Sequence, residues 1–317
     1  MTYSEQTPQF IYTYASHEDE LSLCRLELRS LFGVHPESGI FMSDRAVDPS
    51  RSPFIRERIE VACAGDSVSE IEDQAAHIPA LQSTFKVLFV KTNDLPAAEK
   101  WTYEAQREIE RRVGRRISGN ADVRHPDQVF GIVTMGGRWY LGRHMKNRSV
   151  WLTHMNKPRN YSMALPTRVA RAVANIAVPQ PEGVRAIDPC CGIGTVLVEG
   201  LSMGIDLSGR ELNPQLAGGA RENLAFFGLK GEVVFGPISE AAARYDAAIV
   251  DLPYNHVSKI TPAEQMSILK HARRIAGRVV VISIEPIDGM LNRAGFSISD
   301  RGSVKKGSFF RYVMLCE

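Results

Sequence analysis

Residues 251–255 read Asp-Leu-Pro-Tyr-Asn and follow directly on the apolar run Ala247-Ala248-Ile249-Val250. A carboxylate, a proline and an aromatic ring side by side suit a flat ring that carries an amine. Such an amine is a poor nucleophile, because its lone pair is delocalised into the ring. Two acceptors at its hydrogens favour a more pyramidal nitrogen and stabilise the cation that develops as a new bond forms. Asp251 can supply one acceptor and the Leu252 backbone carbonyl the other. Tyr254 offers a face on which the ring stacks, and Asp251 can then accept the released proton. Pro253 biases Leu252 toward extended dihedrals. An Asp-x-Pro turn that ends a strand is common in isolation, so the assignment depends on what stands beside it.

A second constellation lies upstream. In Asp188-Pro189-Cys190-Cys191-Gly192-Ile193-Gly194-Thr195, Asp188 ends a strand, and two glycines sit where the backbone must turn sharply. Such a turn lets a ligand approach the main chain closely. Glu211 follows Asp188 by 23 residues, at the end of the next strand. That is where a ribose-binding acid stands in a nucleotide-binding unit, roughly 20 residues on. The third fingerprint glycine is missing, since Leu197 follows Val196, and this disfavours a dinucleotide pyrophosphate. There is no Walker lysine for a nucleoside triphosphate.

These residues need strands to carry them. From residue 185 onward the sequence alternates short apolar runs with helical patterns. "VRAID", a strand ending at Glu211, "GEVVFG", "DAAIVD" and "RVVVISIE" are the strands. Apolar runs of this kind belong to a parallel sheet covered on both faces, and the alternation makes it doubly wound. "GFSISD" and "SFFRYVMLCE" predict a closing hairpin. The earlier part is α+β. Strands are expected at Gln9–Ala15, Ser38–Met42 and Ser83–Thr92, and a loop at Ser43–Pro53. A helix on Leu21, Cys24, Leu28 and Leu31 would be capped by Ser16 and closed by Gly33, and a second helix would run from Ala97 to Val113. A Gly136-Gly137 hairpin spans "QVFGIVTMGGRWYLGR". The division expected is 1–82, 83–160 and 161–317, with the last boundary near Ala164–Pro181.

Net charge is only +2, but its distribution is uneven. Between Gln128 and Pro181 there is no Asp or Glu, where about 6 would be expected at the average density of the chain. Arg138, Arg143, Lys146, Arg148, Lys157, Arg159, Arg168 and Arg171 fall there, interleaved with Trp139, Tyr140, Trp151 and Tyr161. Bases and aromatics together suit a phosphate backbone with exposed bases; a solvated surface over core aromatics is the plainer reading. The five cysteines fit no metal site, and their odd count argues against a disulfide framework. With no apolar run of membrane length and no leader at Met1–Glu5, a cytoplasmic protein is expected.

"DPCCGIGTVLVEG", "GRELN…GARENL" and "DLPYN" resemble motifs of class I S-adenosyl-L-methionine (AdoMet)-dependent methyltransferases, of the subgroup that methylates exocyclic amines with an (Asp/Asn)-Pro-Pro-(aromatic) motif. "LPTRVARAVANIA" and "KKGSFFRYVML" narrow the likeness to THUMP-containing tRNA guanosine-N2 methyltransferases. The resemblance implies a Rossmann-like catalytic unit after small ferredoxin-like and THUMP-like units, with residues 1–82 ferredoxin-like and 83–160 THUMP-like. It implies methylation of guanosine N2 in tRNA, with position 10 favoured. Asp188, Pro189, Gly192, Gly194 and Thr195 would hold the methionine part of AdoMet, Glu211 the ribose, and Ile238 would pack on adenine. Asp251, Pro253 and Tyr254 would be catalytic. Arg138, Arg143, Lys146, Arg148, Lys157 and Arg159 would contact RNA. No metal is expected, and no activator subunit is implied by the sequence. Leu252 replaces the first proline of the motif, and no acid follows the third strand at Gly236-Pro237-Ile238. Methylation of guanine N2 in ribosomal RNA or of adenine N6, or a decayed RNA-binding protein, remain alternatives. On this reading Tyr254→Phe keeps much of the activity and Leu252→Pro is neutral or mildly favourable.

Overall fold

In the computed structural model, which describes residues 8–92, 100–254, 260–307 and 309–317, the strands gather into two sheets. The first half of the chain runs β1 (Phe10–Tyr14), α1 (Leu21–Phe32), β2 (Ile40–Ser43), β3 (Ile55–Gly65), α2 (Val68–Ala75), β4 (Phe85–Phe89), α3 (Tyr103–Gly114), β5 (Gln128–Met135) and β6 (Arg138–Lys146). Its six strands form one sheet in the order β2-β1-β3-β6-β5-β4. Gly136 and Gly137 both take positive φ and close the expected β5–β6 hairpin. α3 starts at Tyr103, where the Thr102 side chain accepts from the Ala105 N–H; Ala97, the start expected from sequence, lies outside the described residues.

Two compact units result. The first holds the chain to Ala15, Pro36–Ser50 and Phe54–Arg148; the second holds Ser16–His35, Arg51–Pro53 and Ser149–Glu317. This differs from the division at 82/83 and 160/161 for physical reasons. β3 pairs with β1 on one side and with β6 on the other, so residues on both sides of position 82 share a sheet. α1 buries Leu23, Leu26, Leu28 and Leu31 within the second unit, packing on Thr167–Ala177 and Ile298–Lys306. Gly33 closes α1 in the left-handed region, as expected, but Ser16 does not cap it: a 3-10 turn at Glu18–Glu20 intervenes, with His17 accepting from the Asp19 N–H. The clip at Arg51–Pro53 belongs to the second unit because Glu27 on α1 accepts from Ser52 Oγ and from Asn175 Nδ2, while Arg51 donates to Asn175 Oδ1 at 3.0 Å.

The second unit continues with α4 (Trp151–His154), α5 (Thr167–Ala177), β7 (Arg185–Asp188), α6 (Thr195–Ser202), β8 (Asp206–Glu211), α7 (Pro214–Phe226), β9 (Val233–Phe235), β10 (Tyr245–Asp251), α8 (Pro262–Ile275), β11 (Ala276–Ser283), α9 (Asp288–Arg293), β12 (Ile298–Lys306) and β13 (Phe309–Cys316). The sheet order is β12-β13-β11-β10-β7-β8-β9. β9, β8, β7, β10 and β11 are parallel; β13 runs antiparallel to β11 and to β12. This is a Rossmann-like, doubly wound sheet, ending in the expected hairpin. Ala186, Ile187, Ala248, Ile249, Val250 and Val279–Ile282 are all buried, as they must be when helices cover both faces. Strand order reverses between β7 and β10, and ligands of open α/β sheets bind outside the carboxyl ends at such a point.

Candidate active site

A cavity of about 1020 Å³ opens there, at the upper limit of common ligand pockets. Every residue assigned to catalysis or cofactor binding from sequence lines it, except Gly194. The exception is informative. Gly194 takes φ +76°, and a Cβ there would meet the Cβ of Ala220 on α7 at 3.1 Å. Gly194 therefore serves the turn and the packing of α7. Gly192 takes φ +55°, and a Cβ there would meet open space, so it is the glycine that keeps the cavity clear.

Glu211 at the end of β8 holds the turn. Its Oε2 accepts from the Gly192 N–H and its Oε1 from the Asn213 N–H, both at 2.8 Å. Asn213 caps α7 in turn, accepting from the N–H groups of Gln215 and Leu216, with Pro214 in the first turn. Asn223 on α7 donates to the Ile193 carbonyl at 2.8 Å and exchanges two hydrogen bonds with the backbone of Arg159. Sequence reasoning did not single out Asn223, although it lies in the quoted "GARENL". Asp188 is buried at the end of β7 and accepts from the Cys190 N–H at 3.2 Å. Burial, and then the nearby Asp251 and Glu211 carboxylates, push its carboxyl well above the usual range. The Cys190 and Cys191 thiols are pushed up by the same burial, which makes neither a nucleophile.

Asp251 ends β10, and burial pushes its carboxyl up to about 7 against the opposing charge of Arg311. Two buried oxygens facing this region, Asp251 Oδ1 and Thr195 Oγ1, have no hydrogen-bond partner among the described residues. Buried polar atoms without partners are uncommon in folded proteins and point to a missing ligand or water. The carboxyl groups of Asp188, Glu211 and Asp251 converge on the cavity, and a cationic ligand placed there would favour their ionised forms. Leu252 is buried and its N–H donates to the Ile282 carbonyl at 3.0 Å. The Tyr254 hydroxyl donates to the Met163 carbonyl at 3.2 Å and accepts from Arg311 Nη2 at 2.8 Å. Sequence reasoning missed both partners, which come from remote segments and carry no local signal. Asn255 lies outside the described residues.

The basic residues fall on both units. Arg138 pairs with Asp66 at 2.8 Å and Arg148 with Asp48 at 3.6 Å. Arg143 and Lys146 on β6 are exposed and form no ion pair among the described residues. In the second unit Arg159 pairs with Glu222 at 2.6 Å, Arg168 with Glu20 at 3.0 Å, and Arg171 with buried Glu199, which also binds His154 Nδ1 at 2.7 Å. Lys157 is buried at 9 % exposure, and burial lowers its ammonium pKa. It is therefore a weaker candidate for a phosphate contact than the exposed Arg143 and Lys146. Acids absent from the local sequence return in space from other segments.

No family model matches the chain. It is similar to the tRNA (guanine(10)-N2)-dimethyltransferase of Pyrococcus abyssi, 31% identical over 175 residues, 51% of this chain and 52% of that protein. The protein of the same description from Methanothermobacter thermautotrophicus is 27% identical over 172 residues, 50% of each chain. The chain thus spans about half the length of the curated relatives it matches. Among solved structures, TrmN from Thermus thermophilus covers 98% of this chain and 99% of its own, at 19% identity and a TM-score of 0.49.

Proposed function

We propose that this chain is an AdoMet-dependent methyltransferase acting on the exocyclic N2 of a guanosine in tRNA, with position 10 favoured. The observation that carries the reading is the cavity. It joins a Gly192 turn tied to Glu211, unpartnered buried oxygens on Thr195 and Asp251, and the Asp251–Tyr254 turn. The match to tRNA (guanine(10)-N2)-dimethyltransferases over half their length supports the choice of substrate.

The residues present fit the cofactor. Asp188, Pro189, Gly192 and Thr195 would hold its methionine part, Glu211 the ribose hydroxyls with the lone pairs not spent on Gly192 and Asn213, and Ile238 the adenine face. When bound, AdoMet supplies an electrophilic methyl on a sulfonium. Asp251 and the Leu252 carbonyl would accept the hydrogens of the target amine and stabilise positive charge at nitrogen as it develops. Tyr254 would hold the base plane. Asp251, with its raised pKa, would take the released proton. The first unit would be a THUMP-like RNA platform with Arg138, Arg143, Lys146 and Arg148 as phosphate contacts, and the protein would work in the cytoplasm; among the described residues no helix is long and apolar enough to cross a membrane.

Calorimetry with AdoMet tests the cofactor site. Wild type is expected to bind, and Glu211→Ala, which removes ribose acceptors and releases the turn, is expected to lose about 1–3 kcal/mol of affinity. Undiminished binding by a folded Glu211→Ala protein would move the cofactor elsewhere.

A further inference from the structure

Arg311, on β13, is only 6 % exposed and forms no ion pair within 4 Å among the described residues. A guanidinium buried without a carboxylate beside it is costly, so its actual neighbours carry the reason for its place. They are the target-ring side chain and its flank. Nη2 donates to the Tyr254 hydroxyl oxygen at 2.8 Å. The guanidinium carbon lies 4.7 Å from the Phe309 ring centroid and 5.9 Å from that of Tyr254. The two rings sit 5.7 Å apart at 41°. The Tyr254 hydroxyl is passed on to the Met163 carbonyl. Arg311 Nε is buried with no partner among the described residues.

We propose that Arg311 is the positioning residue of this site: it clamps the Tyr254 phenol between its own guanidinium and the Met163 carbonyl, and so sets the plane on which the target base stacks. The proposal rests on the reading of Asp251–Tyr254 as the pocket for that base. It reverses the sequence expectation for Tyr254→Phe. The ring face survives in phenylalanine, but the hydroxyl that anchors it does not, and Nη2 of a buried cation loses its acceptor. The same guanidinium has a second effect. Asp251 is faced by Asp188 from β7, by Cys190 from the turn, by Tyr254 and by Arg311. Of these, Arg311 is the group whose charge favours the carboxylate. Its removal raises the Asp251 pKa further and moves the ionisation on which proton acceptance depends to higher pH.

The test has one arm that needs no activity. The protein is labelled with 3-fluorotyrosine, and the Tyr254 resonance is assigned by its loss in Tyr254→Phe. In Arg311→Met, and to a lesser degree in Arg311→Lys, the Tyr254 fluorine signal is expected to move from its wild-type position toward that of free tyrosine. The second arm is tRNA methylation. Tyr254→Phe and Arg311→Met are each expected to lower kcat by about 10- to 100-fold, the scale of a slight misplacement of reacting groups. AdoMet affinity should be unchanged. The double variant should be no worse than the poorer single, because both remove one contact. The acid limb of the pH–rate profile should shift upward in Arg311→Met, with Arg311→Lys restoring part of it. An unmoved fluorine signal in folded Arg311→Met and Arg311→Lys would overturn the proposal, as would simple addition of the two kcat losses. A wild type that transfers no methyl to tRNA would refute the functional reading, while the fluorine arm would still decide whether Arg311 holds the ring.

Discussion

Leu252 stands where the motif has its first proline, and its backbone accounts for the difference. Its N–H continues the hydrogen bonding of β10 with β11 through Ile282, and its side chain is buried with Val250 and Leu269. Proline would remove the donor and leave a carbonyl unpaired. Leu252→Pro is therefore expected to be destabilised by about 1–3 kcal/mol in chemical denaturation and to gain no turnover, contrary to what the motif alone suggests. A proline variant as stable as wild type would show that this hydrogen bond is dispensable. The same contrast decides what was legible at this scale. Asp188, Gly192, Glu211, Asp251 and Tyr254 could be found because strand ends and turns write them into short, regular spacings. Arg311 and Met163 meet Tyr254 across 57 and 91 residues, and nothing in either local stretch marks the encounter.

Among the elements, α1 joins the second unit through Glu27, whose carboxyl burial pushes up to about 7 from an ordinary 4.5, against the lowering contacts of Ser52 and Asn175. A raised carboxyl pKa favours the protonated folded state. Its contribution is full below pH 4.5 and is lost as pH rises toward 7, because the unfolded chain ionises first. The loss amounts to about 3 kcal/mol. Glu27→Gln keeps acceptor and donor for both partners and is expected to flatten stability over pH 4.5–7 in denaturant titrations. Asp251 leaves a residual slope of the same sign. An identical slope in the variant would mean that Glu27 does not titrate with folding. The buried parallel strands were readable as apolar runs with helices between them. β3 was not, since "IRERIEVACAG" reads as charged: Ile55, Ile59, Cys63 and Gly65 are buried, and Val61 and Ala64 only partly so. Missing β3 is what split the first sheet in two. α1 was readable as a helix, but its helical spacing does not say which sheet receives its apolar face.

For the whole molecule, the acid-free stretch was real in sequence and largely balanced in space, because Asp48, Asp66, Glu222 and Glu20 return to Arg148, Arg138, Arg159 and Arg168. On the proposed function, Arg143 and Lys146, which form no ion pair among the described residues, are then the leading candidates for phosphate contact. Joint replacement by alanine is expected to reduce the salt slope of log K for tRNA by up to about 0.9 per lost contact, read from binding at several salt concentrations. An unchanged slope would place the RNA on another surface. The central claim is that one cavity binds AdoMet and presents Asp251 to a guanosine amine. It is tested most directly by incubating unmodified tRNA with labelled AdoMet and wild-type or Asp251→Ala protein, then digesting the tRNA to nucleosides. Label is expected in N2-methylated guanosine with wild type, and at least about 100-fold slower labelling with Asp251→Ala at unchanged AdoMet affinity. Label in N6-methyladenosine, or equal rates for the two proteins, would contradict it.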